Sequence, residues 1–220
     1  MSRGVLTSKL FECRIDYLEK YFAEAKYPWE LIARIGEIIE TLTKNGLGGF
    51  SDIGGSVFVG EKVHIDKNAT VEGPAIIGSG SVLRTGAYIR SNVIIGRDCV
   101  VGNSSELKNS ILLDCVQVPH YNYVGDSILG NGAHLGAGAI CSNLRTDRKD
   151  VCIRGERQYS TRMRKLGAMI GDGVEIGCGC VLAPGCVIGK ESWVYPLTFV
   201  RGIVDENSIV KSTNSIVKKT

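Results

Sequence analysis

The chain has 220 residues, 44% of them hydrophobic, and a formal net charge of only +3. That length suits one elongated domain with a small appendage. No run of 18 apolar residues occurs, residues 1–10 lack a long apolar core, and most Lys and Arg are dispersed; a membrane span, a signal peptide and bulk nucleic-acid binding are therefore not expected.

Residues 1–27 are mixed and read as irregular, with a helical turn around Asp16 to Glu24. From Pro28 the pattern becomes helical: Leu31, Ile32, Ile35, Ile38, Ile39 and Leu42 share a face, Pro28 suits a start and Gly46 a stop. The first 50 residues are expected to form a helical cap over the open end of a repeat region that begins near residue 51, since solenoids need capping; a partner-binding helix is the competing reading.

Between residues 53 and 118 an aliphatic residue recurs every sixth position: Ile53, Val59, Ile65, Val71, Ile77, Leu83, Ile89, Ile95, Val101, Leu107 and Leu113. A small residue or Val mostly stands four further on. Period six fits neither a 3.6-residue helix nor an alternating strand. It suits a coil of three short flat faces, one hexad per face, with the aliphatic side chain inward and the small residue at the corner. Eighteen residues then close one triangular turn, and successive turns pair as parallel strands ~4.8 Å apart. The predicted fold is an all-β solenoid over 51–205, a parallel β-helix of hexapeptide repeats. Two loops are expected to interrupt it. Val118 to Tyr123 breaks the rhythm, which resumes in a new phase at Leu129 and Leu135. A second, basic interruption covers 143–167, and hexads return at Ile170, Ile176, Leu182, Ile188, Val194 and Val200. The tail, 206–220, is expected to be poorly fixed.

The eight cysteines suggest neither disulfides nor zinc. Cys99, Cys180 and Cys186 fall on the small inward slot, where a thiol acts as a compact hydrophobe, and Cys178 alternates with Cys180 instead of forming C-x-x-C. That usage fits a reducing, cytoplasmic setting. Of three histidines, His64 and His134 fall on outward positions, whereas His120 lies in the first expected loop beside Tyr121 and Tyr123, where an imidazole can take a proton near neutral pH. Their spacings of 56 and 14 do not bring three imidazoles to one metal, so no metal is expected. Arg90 and Lys108 each come directly after an aliphatic position and are eighteen residues apart, one full turn. They should stack on one face, as a phosphate grip or as solvated surface charges.

The runs Val101-Gly102-Asn103, Glu106-Leu107-Lys108-Asn109-Ser110, Pro119-His120-Tyr121-Asn122-Tyr123-Val124-Gly125-Asp126, Leu135-Gly136-Ala137-Gly138 and Ser142-Asn143-Leu144 resemble the acetyltransferase domain of bifunctional N-acetylglucosamine-1-phosphate uridyltransferase/glucosamine-1-phosphate N-acetyltransferases. The long loop ending Arg164-Lys165-Leu166-Gly167-Ala168 is similar to the archaeal-type sugar-1-phosphate nucleotidylyltransferases with amino-sugar acetyltransferase activity. The resemblance covers roughly residues 75–205. It implies a left-handed coil, a homotrimer, acetyl-CoA as co-substrate and an amino-sugar 1-phosphate as acceptor, glucosamine-1-phosphate or galactosamine-1-phosphate. It implies His120 as general base; separately from the resemblance, Asp126 is expected to orient its imidazole. Arg90, Lys108, Tyr123, His134, Asn143 and Lys149 fall on substrate positions, and Ala137, Asn143, Leu144, Cys178 and Pro196 on acetyl-CoA positions. Three of these depart from the family pattern: His134 replaces a sugar-site asparagine, and Cys178 and Pro196 replace a serine and an alanine near the coenzyme. About fifty residues precede the coil and contain no G-x-G-T-R-[ML] phosphate loop, so any nucleotidyl transfer is expected on a separate protein. Two other readings stay open: a non-catalytic sugar-phosphate-binding or assembly module, and an acyltransferase for another acceptor.

Overall fold

In the computed structural model, residues 3–44, 46–155 and 157–219 are described. Four helices come first: α1 (Thr7–Leu10), α2 (Asp16–Glu24), α3 (Trp29–Ile32) and α4 (Ile35–Thr43). A three-faced parallel solenoid comes after them. Its first face contains Val57–Val59, Ala75–Ile77, Val93–Ile95 and five further parallel strands; the second face starts at His64–Ile65 and the third at Thr70–Val71. Inward residues stack in register, as Ile89, Leu107, Val124, Cys141, Leu182 and Val200 do on the third face.

The chain turns most corners through a residue in the left-handed region. Tyr121, Gly138, Gly179 and Leu197 form one such column, at φ 51°, 71°, 67° and 60°. Left-handed backbone costs an L-residue roughly 1–2 kcal/mol, which accounts for the Gly, Asn and Asp spaced through the repeat.

The first expected loop is not a loop. Gln117–His120 and Tyr123–Gly125 are strands, and Val118 and Val124 are buried inward residues. Ile95 pairs with Leu112, and Leu112 with Leu129, so two successive turns contain seventeen residues in place of eighteen. Shortening a hexad by one residue shifts every later inward position, and a strict count of six registers that slip as a break. Leu112 therefore points inward, and Leu113 packs outside with the helices. The first member of the series, Ile53, is 56% exposed in the turn before the solenoid.

The helices do not lie over an open end. They pack along the outside of the first face, on Ile76, Ile94, Ile111, Ile128, Met169 and Val187. Those outward residues explain the choice. The first-face strands are continuous apolar runs, such as Ala75-Ile76-Ile77 and Val93-Ile94-Ile95, fully buried, the signature of a parallel sheet covered on both sides. Each large apolar side chain so buried contributes up to roughly 1.5–3 kcal/mol. The helical stretch from Pro28 is divided at Ala33–Arg34 into α3 and α4, and α2 supplies a full helix where only a turn was expected. Between α1 and α2 the extended residues 11–15 are tied to the solenoid by side chains stacked along one edge: Arg97 donates to the Arg14 carbonyl, Asn131 to the Glu12 carbonyl, and the Glu12 N–H donates to Asp172.

The second insertion leaves the solenoid and is fastened to the same helices. It forms an antiparallel hairpin, Cys152–Arg154 with Gln158–Ser160, whose Val151, Ile153 and Tyr159 join the helical core. Tyr27 and Trp29 stack at 4.6 Å, with Tyr159 edge-on to both. The tail is also built in. Ser208–Ser212 extends the second face and folds back on Ser215–Lys218, closing that end, and Lys219 Nζ sits 3.8 Å over the Trp193 ring. All eight cysteines are free, and Cys99, Cys180 and Cys186 are buried in their slots. Cys141, at an aliphatic position, is buried as well. Among the described residues no helix is long and apolar enough to cross a membrane.

Candidate functional site

The third face presents polar side chains on either side of its inward column. Tyr88 pairs with Glu106, and Ile89 with Leu107, so Arg90 and Lys108 stand on adjacent rungs of one face. Both already hold a carboxylate: Arg90 lies 2.9 Å from Glu106 Oε1, and Lys108 Nζ 3.2 Å from Asp126 Oδ1. Glu106 escaped the sequence reading; it flanks Leu107 on the same outward side as Lys108, which is the signal that could have found it. Asp126 is only 3% exposed and also accepts from the side-chain amides of Asn109, at 2.8 Å, and Asn143. The Asn143 amide donates in addition to Tyr123 Oη at 3.1 Å. Gly125 makes room for this cluster, because a Cβ there would meet Tyr123 Oη at 2.5 Å and Asn143 Nδ2 at 2.6 Å. Burial raises the Tyr123 pKa above the usual tyrosine value, and the Asn143 donation partly offsets it.

His120 stands at the corner between the second and third faces. It ends the strand Gln117–His120, pairs with Asn103 and is exposed. Among the described residues no side chain hydrogen-bonds its imidazole. Three of the positions assigned to acetyl-CoA continue the same corner on successive turns. The His120 carbonyl accepts from Gly138 N–H, that of Ala137 from Gly179 N–H, and that of Cys178 from Leu197 N–H, each at 2.8–3.0 Å. His120, Ala137, Cys178 and Pro196 thus form one exposed column. Tyr121, Tyr195 and Leu197 project beside it, Leu197 85% exposed.

Asp126 does not orient His120. It lies at the far edge of the third face, past the strand Tyr123–Gly125, and its partners are Lys108, Asn109 and Asn143. His120 and the residue paired with Lys108, Gly125, are five positions apart, at most about 17 Å of extended chain at about 3.3 Å per residue. Within one chain the strand Tyr123–Gly125 lies between His120 and the rung position that pairs with Lys108. His134 faces out from the second face, but not into bare solvent: its Nδ1 is 2.8 Å from Glu175 Oε2. Leu144 forms a bridge with Lys165 at the root of the insertion. Lys149 is exposed further out on the insertion, its N–H donating to Asp147, and no hydrogen bond or ion pair joins it to the third-face cluster among the described residues.

A family model described as the GMPPB C-terminal domain matches residues 71–163. Among curated proteins, the chain is 36% identical over 117 residues to the bifunctional protein GlmU of Methanococcus aeolicus, covering 53% of this chain and 28% of that one. It is 41% identical over 95 residues to a bifunctional sugar-1-phosphate nucleotidylyltransferase/acetyltransferase of Sulfurisphaera tokodaii, covering 42% and 23%. The similarity to these relatives falls in the coiled part of the chain. The chain spans about a quarter of the length of these curated relatives. Among solved structures, the chain is similar to the acetyltransferase domain of PglB from Neisseria gonorrhoeae in complex with acetyl coenzyme A, at a TM-score of 0.37 and 16% identity over 79% of this chain and 60% of that one.

A cavity of about 780 Å³ lies away from the column, along the edge that holds residues 11–15. Several of its charges are matched in pairs, among them Arg97 with Asp114 at 2.7 Å and Lys190 with Asp172 at 2.9 Å. Those pairs fasten the helical segment, and the third-face cluster and the His120 column remain the candidate site. Among the described residues no group of three His, Cys, Asp or Glu is placed to hold a metal ion.

Proposed function

We propose that the chain transfers the acetyl group of acetyl-CoA to the 2-amino group of an amino-sugar 1-phosphate, glucosamine-1-phosphate or galactosamine-1-phosphate, with His120 as general base. The observation that carries this reading is the column His120–Ala137–Cys178–Pro196. It aligns an unpartnered imidazole with exposed small side chains and an apolar ridge along one corner. That strip suits a coenzyme's long flexible arm, with its thioester delivered at the imidazole. The third face beside it carries Arg90, Lys108, Tyr123 and Asn143 for the phosphorylated sugar.

An ammonium group has no lone pair to give, so a base must remove a proton before attack. His120 accepts it, the amine nitrogen bonds to the thioester carbon and gives up a second proton, and the C–S bond breaks as the thiolate leaves and takes up that proton. The developing oxyanion requires a donor, supplied by a backbone N–H or by Asn143. Arg90 and Lys108 hold the phosphate and so fix the amine. Because the strand Tyr123–Gly125 lies between His120 and the rung position that pairs with Lys108, the working site is completed between copies in a homotrimer.

The carboxylates already paired with Arg90 and Lys108 favour a second reading, an acyltransferase whose acceptor is an amine without a phosphate. Thiol release from acetyl-CoA, measured with both amino-sugar phosphates and with unphosphorylated amino sugars, decides between the two. Release with glucosamine-1-phosphate or galactosamine-1-phosphate supports the first, and release with unphosphorylated acceptors alone replaces it with the second. Binding without release would leave a sugar-phosphate-binding module.

A further inference from the structure

The small slot of the hexad breaks its own rule on the turn that carries His120. On the third face that slot is filled by Ala87, Ser105, Asn122, Ala139, Cys180 and Thr198 on successive turns. Asn122 is 1% exposed and is the sole buried amide among the described residues. A buried amide is costly unless its donors and acceptor are matched, and here they are. Oδ1 accepts from His120 N–H at 3.0 Å and from Ser105 Oγ at 3.4 Å, while Nδ2 donates to the Gly136 carbonyl at 2.8 Å and to that of Ala139 at 3.3 Å. One side chain thus ties the turn of Ser105, the turn of His120 and the turn of Ala137. Between His120 and Asn122 lies Tyr121, a non-glycine residue at φ 51°. A repeat needs none of this to turn a corner; Ala87 and Ala139 occupy the same slot without it.

We infer that Asn122 is a positioning residue for acetyl transfer: it fixes the His120 backbone against the Ala137 corner, so that the imidazole and the incoming thioester keep one relative placement. The inference rests on the reading of His120 as the base. An alanine there would leave His120 N–H without this acceptor and the Gly136 carbonyl with only the Ala139 N–H, freeing the corner to shift, and a displacement of about 1 Å at a reacting group costs on the order of 10²-fold in rate.

The test uses the full chain with acetyl-CoA and glucosamine-1-phosphate, comparing Asn122→Ala and Asn122→Ser with His120→Ala and with Ser81→Ala. Ser81 fills the same kind of buried slot on the second face, its hydroxyl donating to the Gly96 carbonyl and accepting from Cys99 N–H. The expected result is a fall in kcat of about 10–100-fold for both Asn122 variants, assayed well below their melting temperatures, with KM for the sugar phosphate changed less than about threefold and kcat of Ser81→Ala within about twofold of the native chain. Equal kcat losses in Asn122→Ala and Ser81→Ala overturn the inference, as does an Asn122→Ala that folds and keeps kcat within about twofold. If neither Asn122 variant folds, the residue serves the stability of the corner and the inference falls. A native chain and a His120→Ala variant with the same rate remove the base assignment itself, a failure separable from that of Asn122.

Discussion

Ile94→Ala and Ile53→Ala give the sharpest test of how the helices are placed. Counting by six puts Ile53 in the core and leaves Ile94, one residue before the inward Ile95, on the outside. The structure reverses both: Ile94 is 0% exposed beneath α4, and Ile53 is 56% exposed. Ile→Ala removes three carbons. At about 0.8 kcal/mol per methylene the transfer loss is about 2.4 kcal/mol at Ile94, and the residual cavity brings the expected range to about 2.5–4 kcal/mol. For a chain of this size each kcal/mol moves the melting temperature by about 2–4 °C, so Ile94→Ala should melt about 5–16 °C lower. Ile53→Ala should stay within about 0.5 kcal/mol of the native chain. Thermal melts recorded by far-UV circular dichroism provide the measurement. A neutral Ile94→Ala together with a destabilising Ile53→Ala would refute the docking of the helices on the first face.

His120→Ala should lower kcat by about 10²–10⁴-fold with little change in KM for the sugar phosphate, measured by thiol release. Lys108→Met leaves the nearly buried Asp126 with only its two amide donors, and should cost about 1–3 kcal/mol in a urea melt. Burial pushes the thiols of Cys99 and Cys141 up from about 9 to about 12. Between those values the unfolded chain has lost the proton and the folded chain keeps it, so stability falls as pH rises, by about 1.4 kcal/mol per unit for each thiol. Cys141→Ala should flatten that slope by one thiol's share between pH 9 and 11, and an unchanged slope would count against the buried, protonated thiol. At pH 8 a disulfide-exchange reagent should titrate Cys115 and Cys178 quickly, while Cys99, Cys141, Cys180 and Cys186 react only after unfolding, because the first two are exposed and the other four are buried.

Much of the candidate site was legible because the repeat has a fixed length. Eighteen residues between Arg90 and Lys108 placed them on one face. The runs around His120 and Ala137 resembled family segments, while Cys178 and Pro196 fell on coenzyme positions as departures from the pattern. What the sequence concealed was how far apart two edges of a face lie, and so which groups meet. Asp126 looked like a neighbour of His120 from six residues away, yet a corner and a strand intervene and Lys108, Asn109 and Asn143 claim it. The stretch 118–124 read as a loop because a period count cannot separate a one-residue shortening from an interruption; only the pairing of Ile95 with Leu112 does.

The sequence by itself determined the solenoid, since an aliphatic residue every sixth position satisfies three short faces and no helix or alternating strand, and it determined the inward thiols for the same reason. Only the tertiary structure decided what covers the first face. Its strands are apolar on both sides, and the helices, the hairpin of 152–160 and the outward Ile76, Ile94 and Ile111 bury one another. Burial of that kind is settled by which surfaces come together after the coil has formed, and contacts between residues so far apart leave no period in the chain.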